Sequence, residues 1–425
     1  MQLSLSTPII AALPIIERLR EHHFEAVFVG GAVRDTYLDI PIKDVDIATS
    51  ARPEQVLELF ERCIPTGLQH GTITVIQDNI TYEVTTFRQE SAYEDHRKPE
   101  SVLYITELDG DLLRRDFTMN AMALYSDGTL YDPYGGIYDL QSKRLRSVGD
   151  PNARFQEDAL RMLRAVRFIG VYGLTPSLRT WKAVIRYREL LKYIAMERVQ
   201  VELDKMVAGA APQRALHFVA ASGLLFHLKE SFHEETLISL KEMGHGDQAQ
   251  TIYSRLHELT AVDSRWAALA IGLQLSVEAA QQAMQALKFS NMRSKTINSI
   301  VAIHNEMLVV STQTNERELH SSWLGIVIRY GKGICGEWIH VMRTLEKQEL
   351  AFTAAFLRRL ENWIDLMTVS SLKQLKVTGK DLTNHLHREA GPWISETLSR
   401  LLLLAALGEI ENERNVLLEQ ASLER

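Results

Sequence analysis

The sequence predicts an α+β protein: an N-terminal domain built on a mostly antiparallel sheet, then helices for the rest of the chain. Three observations carry this. Residues 1–150 mix alternating apolar runs and hairpin turns with helical stretches. After Gly149, apolar residues recur at three- and four-residue spacing and strand patterns almost vanish. Finally, 425 residues with 46% hydrophobic and 24% charged side chains are enough to fill sizeable cores, about two to four domains at roughly 150 residues each.

The elements follow in order. TPIIAALPIIERLREHH (7–23) has helical spacing. EAVFVGGAVRD (25–35) reads as a buried strand, a glycine pair and a helix start. DVDIAT (44–49) is a short strand, and GTITVIQDNITYEVTTFR (71–88) is a hairpin turning at Asp78-Asn79. RQESAYEDHRKPESV (88–102) is polar and charged, contains Pro99, and reads as a mobile loop. MNAMALYSDGTLYDP (119–133) is a second strand pair turning at Asp127-Gly128. From DPNARFQEDALRMLRAVRFIG (150–170) onward the pattern is helical, as in ALHFVAASGLLFHL (215–228), AFTAAFLRRLENWIDLM (351–367) and GPWISETLSRLLLLAALGEI (391–410).

Composition excludes several classes. The longest apolar run, Leu401 to Leu407, is far short of the roughly 20 residues that span a bilayer, and the opening residues lack the pattern of a secretion leader. Cys63 and Cys335 alone cannot build a disulfide framework or a structural zinc site. A reducing cytoplasmic setting is expected. The net charge of −7 argues against indiscriminate binding of nucleic acid, which needs a broad basic field. Residues 154–205 run the other way, with eleven Lys and Arg against six Asp and Glu, a balance of 11 − 6 = +5. A polyanion would meet the protein there.

Chemistry concentrates in FVGGAVRDTYLDIPIKDVDIATS (28–50). Asp44 and Asp46 flank Val45, so a strand would point both carboxylates to one face. Such a pair repels unless a cation lies between, and two magnesium ions roughly 3.5–4 Å apart are the usual partner in phosphoryl transfer. An isolated pair of this kind also fits a strand-end turn. Gly30-Gly31 would let an anion approach free backbone N–H groups, and Arg34 could meet a phosphate bidentately. Glu83, with Thr81 and Thr85 on its face, is a candidate third carboxylate; an exposed strand glutamate is the alternative.

A second constellation is EDALRMLRAVRF (157–168). As a helix it makes Asp158 and Arg161 neighbours at i and i+3, with Glu157 at i−4 from Arg161 to steady the guanidinium. The carboxylate only accepts and the guanidinium only donates. Cytosine and adenine each offer an amino donor beside a ring-nitrogen acceptor; uracil and guanine offer the reverse. Such a fork would select C and A without a template; a surface ion-pair helix is the alternative from the local pattern alone.

Together these motifs resemble the polymerase-β-type nucleotidyltransferases, and specifically the class II tRNA nucleotidyltransferases (CCA-adding enzymes) with their bacterial poly(A) polymerase relatives. The resemblance rests on GGAVRD with DVDIAT, RRDFTMNAMA (114–123), DPYGG (132–136), EDALRMLRAVRF, MERVQVELDKMVAG (196–209) and TGKDLTNHLHREAGPWISETL (378–398). It runs from about residue 10 to the C-terminus, most weakly over 230–350. It implies a nucleotidyltransferase head at 1–150, a neck with a nucleotide-selecting helix at 151–210, a body at 211–310 and a tRNA-binding tail at 311–425. Asp44 and Asp46 would hold magnesium, with Glu83 beside them as a third catalytic carboxylate. Gly30, Gly31, Arg34, Arg115, Asp116, Asn120, Glu157, Asp158, Arg161, Arg164 and Arg167 would bind nucleotide: Arg115 the nucleotide itself, Asp116 and Asn120 the ribose, Asp158 and Arg161 the base. Counting 60° of rotation for each three-residue step, about what an ideal helix gives, puts Arg167 opposite Asp158, fit for a triphosphate, the RNA backbone or structural pairing.

The implied activity is addition of CCA to tRNA 3′ ends from CTP and ATP with release of pyrophosphate. The 88–102 stretch is similar to a loop of the complete CCA-adding enzymes. Rivals are a partial CC- or A-adding enzyme, a poly(A) polymerase, which the acidic charge disfavours, a silent RNA-binding protein and a small-molecule nucleotidyltransferase. No membrane partner is expected, and a homodimer stays open.

Overall fold

The computed structural model describes residues 1–90, 93–94, 98–99, 102–243, 253–345 and 352–423. The chain divides into two compact units, Met1–Ser231 and Phe232–Arg425.

In the first unit the strands are β1 Ala26–Val29, β2 Asp46–Thr49, β3 Cys63–Gly67, β4 Thr72–Gln77, β5 Ile80–Thr86, β6 Arg88–Glu90, β7 Tyr93–Glu94, β8 Lys98–Pro99, β9 Val102–Tyr104, β10 Ala123–Leu124, β11 Leu130–Tyr131, β12 Arg144–Leu145 and β13 Thr175–Pro176. Seven of them form one sheet, ordered β11-β10-β1-β2-β5-β4-β3. Neighbours run antiparallel except β2 and β5, which are parallel. Both expected hairpins form. The tight turn between β4 and β5 needs left-handed backbone, and Asp78 (φ 51°) and Asn79 (φ 62°) supply it. Gly128 (φ 85°) does the same between β10 and β11.

The helices of this unit are α1 Thr7–Glu21, α2 Gly31–Tyr37, α3 Pro53–Leu59, α4 Leu108–Leu113, α5 Gly136–Gln141, α6 Pro151–Glu157, α7 Leu160–Val171, α8 Leu178–Tyr187, α9 Met196–Val207 and α10 Pro212–Ser222. The helical spacing of α1 buries Ile9, Ala12, Ile16 and Leu19 on one side. Val27, Val29, Ala48, Phe87, Leu112 and Ala123 form a core behind the sheet. Burying the Val, Phe and Leu side chains contributes on the order of 1.5–3 kcal/mol each, and this core keeps β1 and β2 in place beneath the site. On α7, Leu163, Val166 and Ile169 are fully buried. A Cβ on Gly170 would come within 2.6 Å of Ala215 Cβ, so glycine is what lets α7 and α10 cross closely.

Three local expectations change. The continuous helix expected over 157–168 is broken: α6 ends at Glu157, Asp158 is extended (φ −135°, ψ 104°), and α7 starts at Leu160. Asp158 Oδ1 accepts from the Leu160 N–H (3.0 Å) and its carbonyl from the Arg161 N–H (3.0 Å), so a short acidic side chain here starts a new helix. Secondly, β2 starts at Asp46, leaving Asp44 in the loop before it. Thirdly, within the expected loop 88–102 the described residues make two antiparallel ladders, β6 with β9 and β7 with β8. Residues 91, 92, 95–97, 100 and 101 of that stretch lie outside the described residues.

The second unit is helical, and no strand occurs among its described residues. Trp323 and Trp338 are fully buried at its centre with ring centroids 5.6 Å apart, and Trp323 Nε1 donates to the Leu360 carbonyl. At 378–382 Thr378 and Asp381 close a capping box at the start of the helix Gly379–Leu386. Cys63 and Cys335 are free. No described helix is long and apolar enough to cross a membrane.

Candidate active site

A cleft of about 710 Å³ opens in the first unit. The glycine turn, β2, the segment 114–120, α7 and α9 all contribute to its lining, which includes Gly30, Gly31, Arg34, Asp46, Arg115, Asp116, Asn120, Asp158, Arg161, Arg164 and Arg167. Eleven of the fourteen sequence-predicted residues therefore share one cavity. Asp44, Glu83 and Glu157 are outside its lining.

Gly30 makes the close approach at the cleft floor. Its φ of +69° suits glycine, and a Cβ there would come within 3.3 Å of Arg115 Nη1 and 3.4 Å of Asp46 Oδ2. Across the parallel β2–β5 pair, Asp46 and Glu83 occupy partner positions. Burial raises the Asp46 carboxyl above the ordinary range, and the charges of Glu83 and Asp44 add to this, while Arg115 works against it. Among the described residues Asp46 has no ion pair within 4 Å. The carboxylates thus repel without full compensation, which is the setting a divalent cation relieves. Among the described residues no three His, Cys, Asp or Glu side chains form a ready-made metal cage.

The arginines are held by carboxylates. Asp111 on α4 is fully buried; burial opposes its charge, but Arg115 and then Arg114 outweigh that and hold its carboxyl below the usual range. Asp111 receives Arg115 Nη2 at 2.9 Å and Arg114 Nε at 2.9 Å. Arg34 departs from expectation. Its bidentate edge is taken by Asp35 (2.8 and 2.9 Å), Nη1 donates to Asn120 Oδ1, and the guanidinium lies 4.4 Å from the Tyr172 ring centroid. Arg34 therefore braces Asn120 and does not present an open fork to a phosphate.

Asp116 is the hub. Oδ1 accepts from the Phe117 N–H (2.8 Å) and Asn120 Nδ2 (3.1 Å), and Oδ2 from Arg164 Nε (2.8 Å). Burial works against this charge, yet Arg164, Asn120 and Arg161 together bring the carboxyl down to about 2. A folded-state value below the unfolded 3.8 means stability that is full above about pH 3.8 and lost as pH falls towards 2, on the order of 2 kcal/mol. Urea unfolding followed across that window should therefore show a steep acid loss in the wild type and a flatter profile in Asp116→Asn.

At the other end of the cleft, Glu157 accepts from Arg161 Nη1 (2.7 Å), the expected i, i+4 pair, and Arg161 Nη2 donates to the Arg114 carbonyl (2.9 Å). Arg167 is not turned away: it lines the cleft with its Nε on Glu202 (2.6 Å) and its guanidinium 4.2 Å from the Phe168 ring centroid. Glu202 and Arg198, whose Nη2 donates to Asp158 Oδ2 at 2.9 Å, both come from α9. Sequence reasoning singled out neither, nor His70, Arg88 and Arg114 of the lining. For Arg198 and Glu202 the signal was a charged pair at i, i+4 on an amphipathic helix, which points inward only once α9 packs on α7.

Comparison with known proteins gives the family. Residues 26–146 match the family described as "Poly A polymerase head domain", 173–236 "Probable RNA and SrmB- binding site of polymerase A", and 257–421 tRNA nucleotidyltransferase domain 2. The CCA-adding enzyme of Bacillus subtilis (strain 168) is 37% identical over 406 residues, 95% of this chain and 96% of that one. That of Bacillus velezensis is 35% identical over 409 residues, 96% of each. The crystal structure of Bacillus stearothermophilus CCA-adding enzyme in complex with CTP matches with a TM-score of 0.82 at 32% identity, over 99% of this chain and 98% of that one. The Thermotoga maritima CCA-adding enzyme complexed with tRNA, 20% identical with a TM-score of 0.66, shares the fold. More than a third of its residues shared with such enzymes, over nearly their whole length, place this chain in the CCA-adding enzyme family of tRNA nucleotidyltransferases.

Proposed function

We propose that the protein adds CCA to tRNA 3′ ends from CTP and ATP without a template, releasing pyrophosphate. The observation that carries this reading is the shared cleft, in which the Asp46 carboxylate and the Asp158–Arg161 pair face one cavity. In the reaction the tRNA 3′-oxygen bonds to the α-phosphorus in line with the breaking bond to the β-phosphate oxygen, and the hydroxyl proton is lost. Asp46 and Asp44, with Glu83 beside them, would hold Mg2+. Two such ions would supply acidification of the 3′-hydroxyl and neutralisation of the triphosphate. The chain's own residues position the reactants and stabilise charge. Arg115 is anchored by Asp111 next to the Gly30 turn, where the triphosphate charge would come. Asn120, braced by Arg34 and Asp116, is placed to meet the ribose.

Base choice would rest on Asp158 and Arg161. The Leu160 N–H and Arg198 take one bond on each Asp158 oxygen, and a carboxylate has about four acceptor sites, so it can still accept from the amino group of cytosine or adenine. Glu157 and the Arg114 carbonyl hold the Arg161 guanidinium in one orientation.

The test is extension of a tRNA transcript ending at the discriminator base, with magnesium and CTP, ATP or both. Growth by three nucleotides only with both substrates is the expected result. Arrest after two with CTP would mean CC addition, and a long ladder with ATP alone would mean a poly(A) polymerase. No extension of bound tRNA would leave an RNA-binding protein.

A further inference from the structure

Asn120 is a buried residue of the cleft lining, and both of its polar atoms are engaged: Oδ1 accepts from Arg34 Nη1, and Nδ2 donates to Asp116 Oδ1 at 3.1 Å. An amide can be set either way round, and its neighbours decide which. A guanidinium only donates and a carboxylate only accepts. Turned over, Asn120 would face donor with donor and acceptor with acceptor, so a single orientation fits. Each atom still has one bond to give, a lone pair on Oδ1 and a hydrogen on Nδ2. One acceptor beside one donor is the complement of a hydroxyl group, which both donates and accepts.

That orientation is only as firm as Arg34. Asp35 takes the Nε and Nη2 edge of the guanidinium (2.8 and 2.9 Å), which leaves Nη1 directed at Asn120. The two are adjacent on α2, and two adjacent side chains could swing together. Tyr172, just after α7 and 137 positions beyond Asp35, touches both of them. Its ring centroid lies 4.4 Å from the Arg34 guanidinium, and its hydroxyl donates to Asp35 Oδ1 at 3.1 Å. It shares a face with Phe168 four residues earlier, whose ring lies 5.6 Å from the same guanidinium. Burial, opposed by Arg34 and aided by Asp35, pushes the Tyr172 phenol up to about 12, so the hydroxyl keeps its proton at neutral pH. Neither Tyr172 nor Asp35 is in the cleft lining, so both act on a bound nucleotide only through Arg34 and Asn120.

We propose that Tyr172 is a positioning residue for sugar selection: by clamping the Arg34–Asp35 pair it holds Asn120 in the orientation that offers a donor and an acceptor to the 2′-hydroxyl of the incoming nucleotide. The inference rests on the nucleotide-adding function above. A deoxyribonucleotide has no 2′-hydroxyl to bond to Asn120. Loosening the clamp therefore slows use of the ribonucleotide and leaves use of the deoxyribonucleotide nearly as it was.

The experiment measures kcat/KM for CTP and dCTP in tRNA extension, and the affinity of the full chain for each with magnesium. The proteins compared are the wild type, Tyr172→Phe, Tyr172→Leu, Asn120→Ala and Asn120→Ala/Tyr172→Leu. Tyr172→Leu removes ring and hydroxyl and is expected to lower the CTP to dCTP ratio on the order of 10-fold, through slower use of CTP. Tyr172→Phe, which keeps the ring and the packing if leucine disturbs them, should lower it by about threefold. On the Asn120→Ala background, Tyr172→Leu should change the ratio no further, because one residue acts through the other. Equal slowing with CTP and dCTP would overturn the proposal and leave Tyr172 a purely structural residue. So would an unchanged ratio in Tyr172→Leu, additive effects in the double variant, or a wild type with no preference for CTP over dCTP. If the wild type binds CTP but extends no tRNA, the functional reading fails, and the CTP to dCTP affinity ratios of the same variants still decide the clamp.

Discussion

Asp46→Asn will lose nucleotidyl transfer by on the order of 10³-fold or more while making the metal-free protein more stable. Both effects follow from one arrangement. Asp46 is half-buried, stands in register with Glu83 and feels Asp44, so its charged form is costly in the fold and its carboxyl is raised. For a carboxylate raised on folding, stability is highest below the unfolded value near 3.8 and falls as pH rises through the folded one. At neutral pH the amide removes that cost at nearly constant volume, so its thermal midpoint should exceed that of the wild type. The difference should vanish in acid, where the wild-type carboxyl is protonated. Activity goes the other way, because charge stabilisation of the transition state is worth factors of 10²–10³ even for one hydrogen-bond donor, and a metal-holding carboxylate supplies more. Thermal melts in chelator at two pH values, beside extension rates in magnesium, test the pair of effects. A lower metal-free midpoint at neutral pH would sink the repulsion argument even if activity were lost.

Asp158→Asn is expected to relax base choice. A carboxylate can only accept, so in the proposed role it would pair with the amino groups of cytosine and adenine and leave the carbonyl oxygens of uracil and guanine facing an acceptor. An amide can donate to those oxygens. A site built to satisfy one pattern of buried polar groups rejects the other by up to about 10⁴, so the kcat/KM ratio of CTP over UTP should fall at least about 100-fold. Arg198 would lose its ionic partner on Asp158 at the same time, and Arg198→Ala should reproduce part of the change. An unaltered CTP to UTP ratio, with both substrates merely slower, would assign Asp158 to structure and not to base choice.

Some of this architecture could be read before folding because it depends on near neighbours in the chain. The β4–β5 hairpin is carried by Asp78-Asn79, two residues that tolerate positive φ between alternating runs. The Gly30 turn is similar, since the approach of Asp46 and Arg115 excludes a side chain there. Helical periodicity after Gly149 held for α7 through α10 and the second unit. The same local reasoning failed at Asp158, where apolar spacing continued smoothly but a side-chain bond to the Leu160 N–H ended one helix and began the next. It failed again at Arg34, whose free partners could be counted only when Asp35, Asn120 and Tyr172 were in place.

By itself the sequence determined which residue types are present, their alternation or helical period, and the motifs that carry the family resemblance. It therefore settled the fold class, the hairpins, the glycine turn and most of the side chains that share the 710 Å³ cleft. Only the tertiary structure decided which charges meet. It set Glu83 beside Asp46 through a parallel pair of strands far apart in the chain, brought Glu202 onto Arg167 of α7 and Arg198 onto Asp158 just before it, and left Arg179 and Lys182 of α8 with no carboxylate within 4 Å among the described residues. The physical reason is range. Turns and helical faces depend on residues a few positions apart, whereas the cost or gain of a charge depends on whichever group the packed core brings within a few ångströms, and no spacing along the chain encodes that distance.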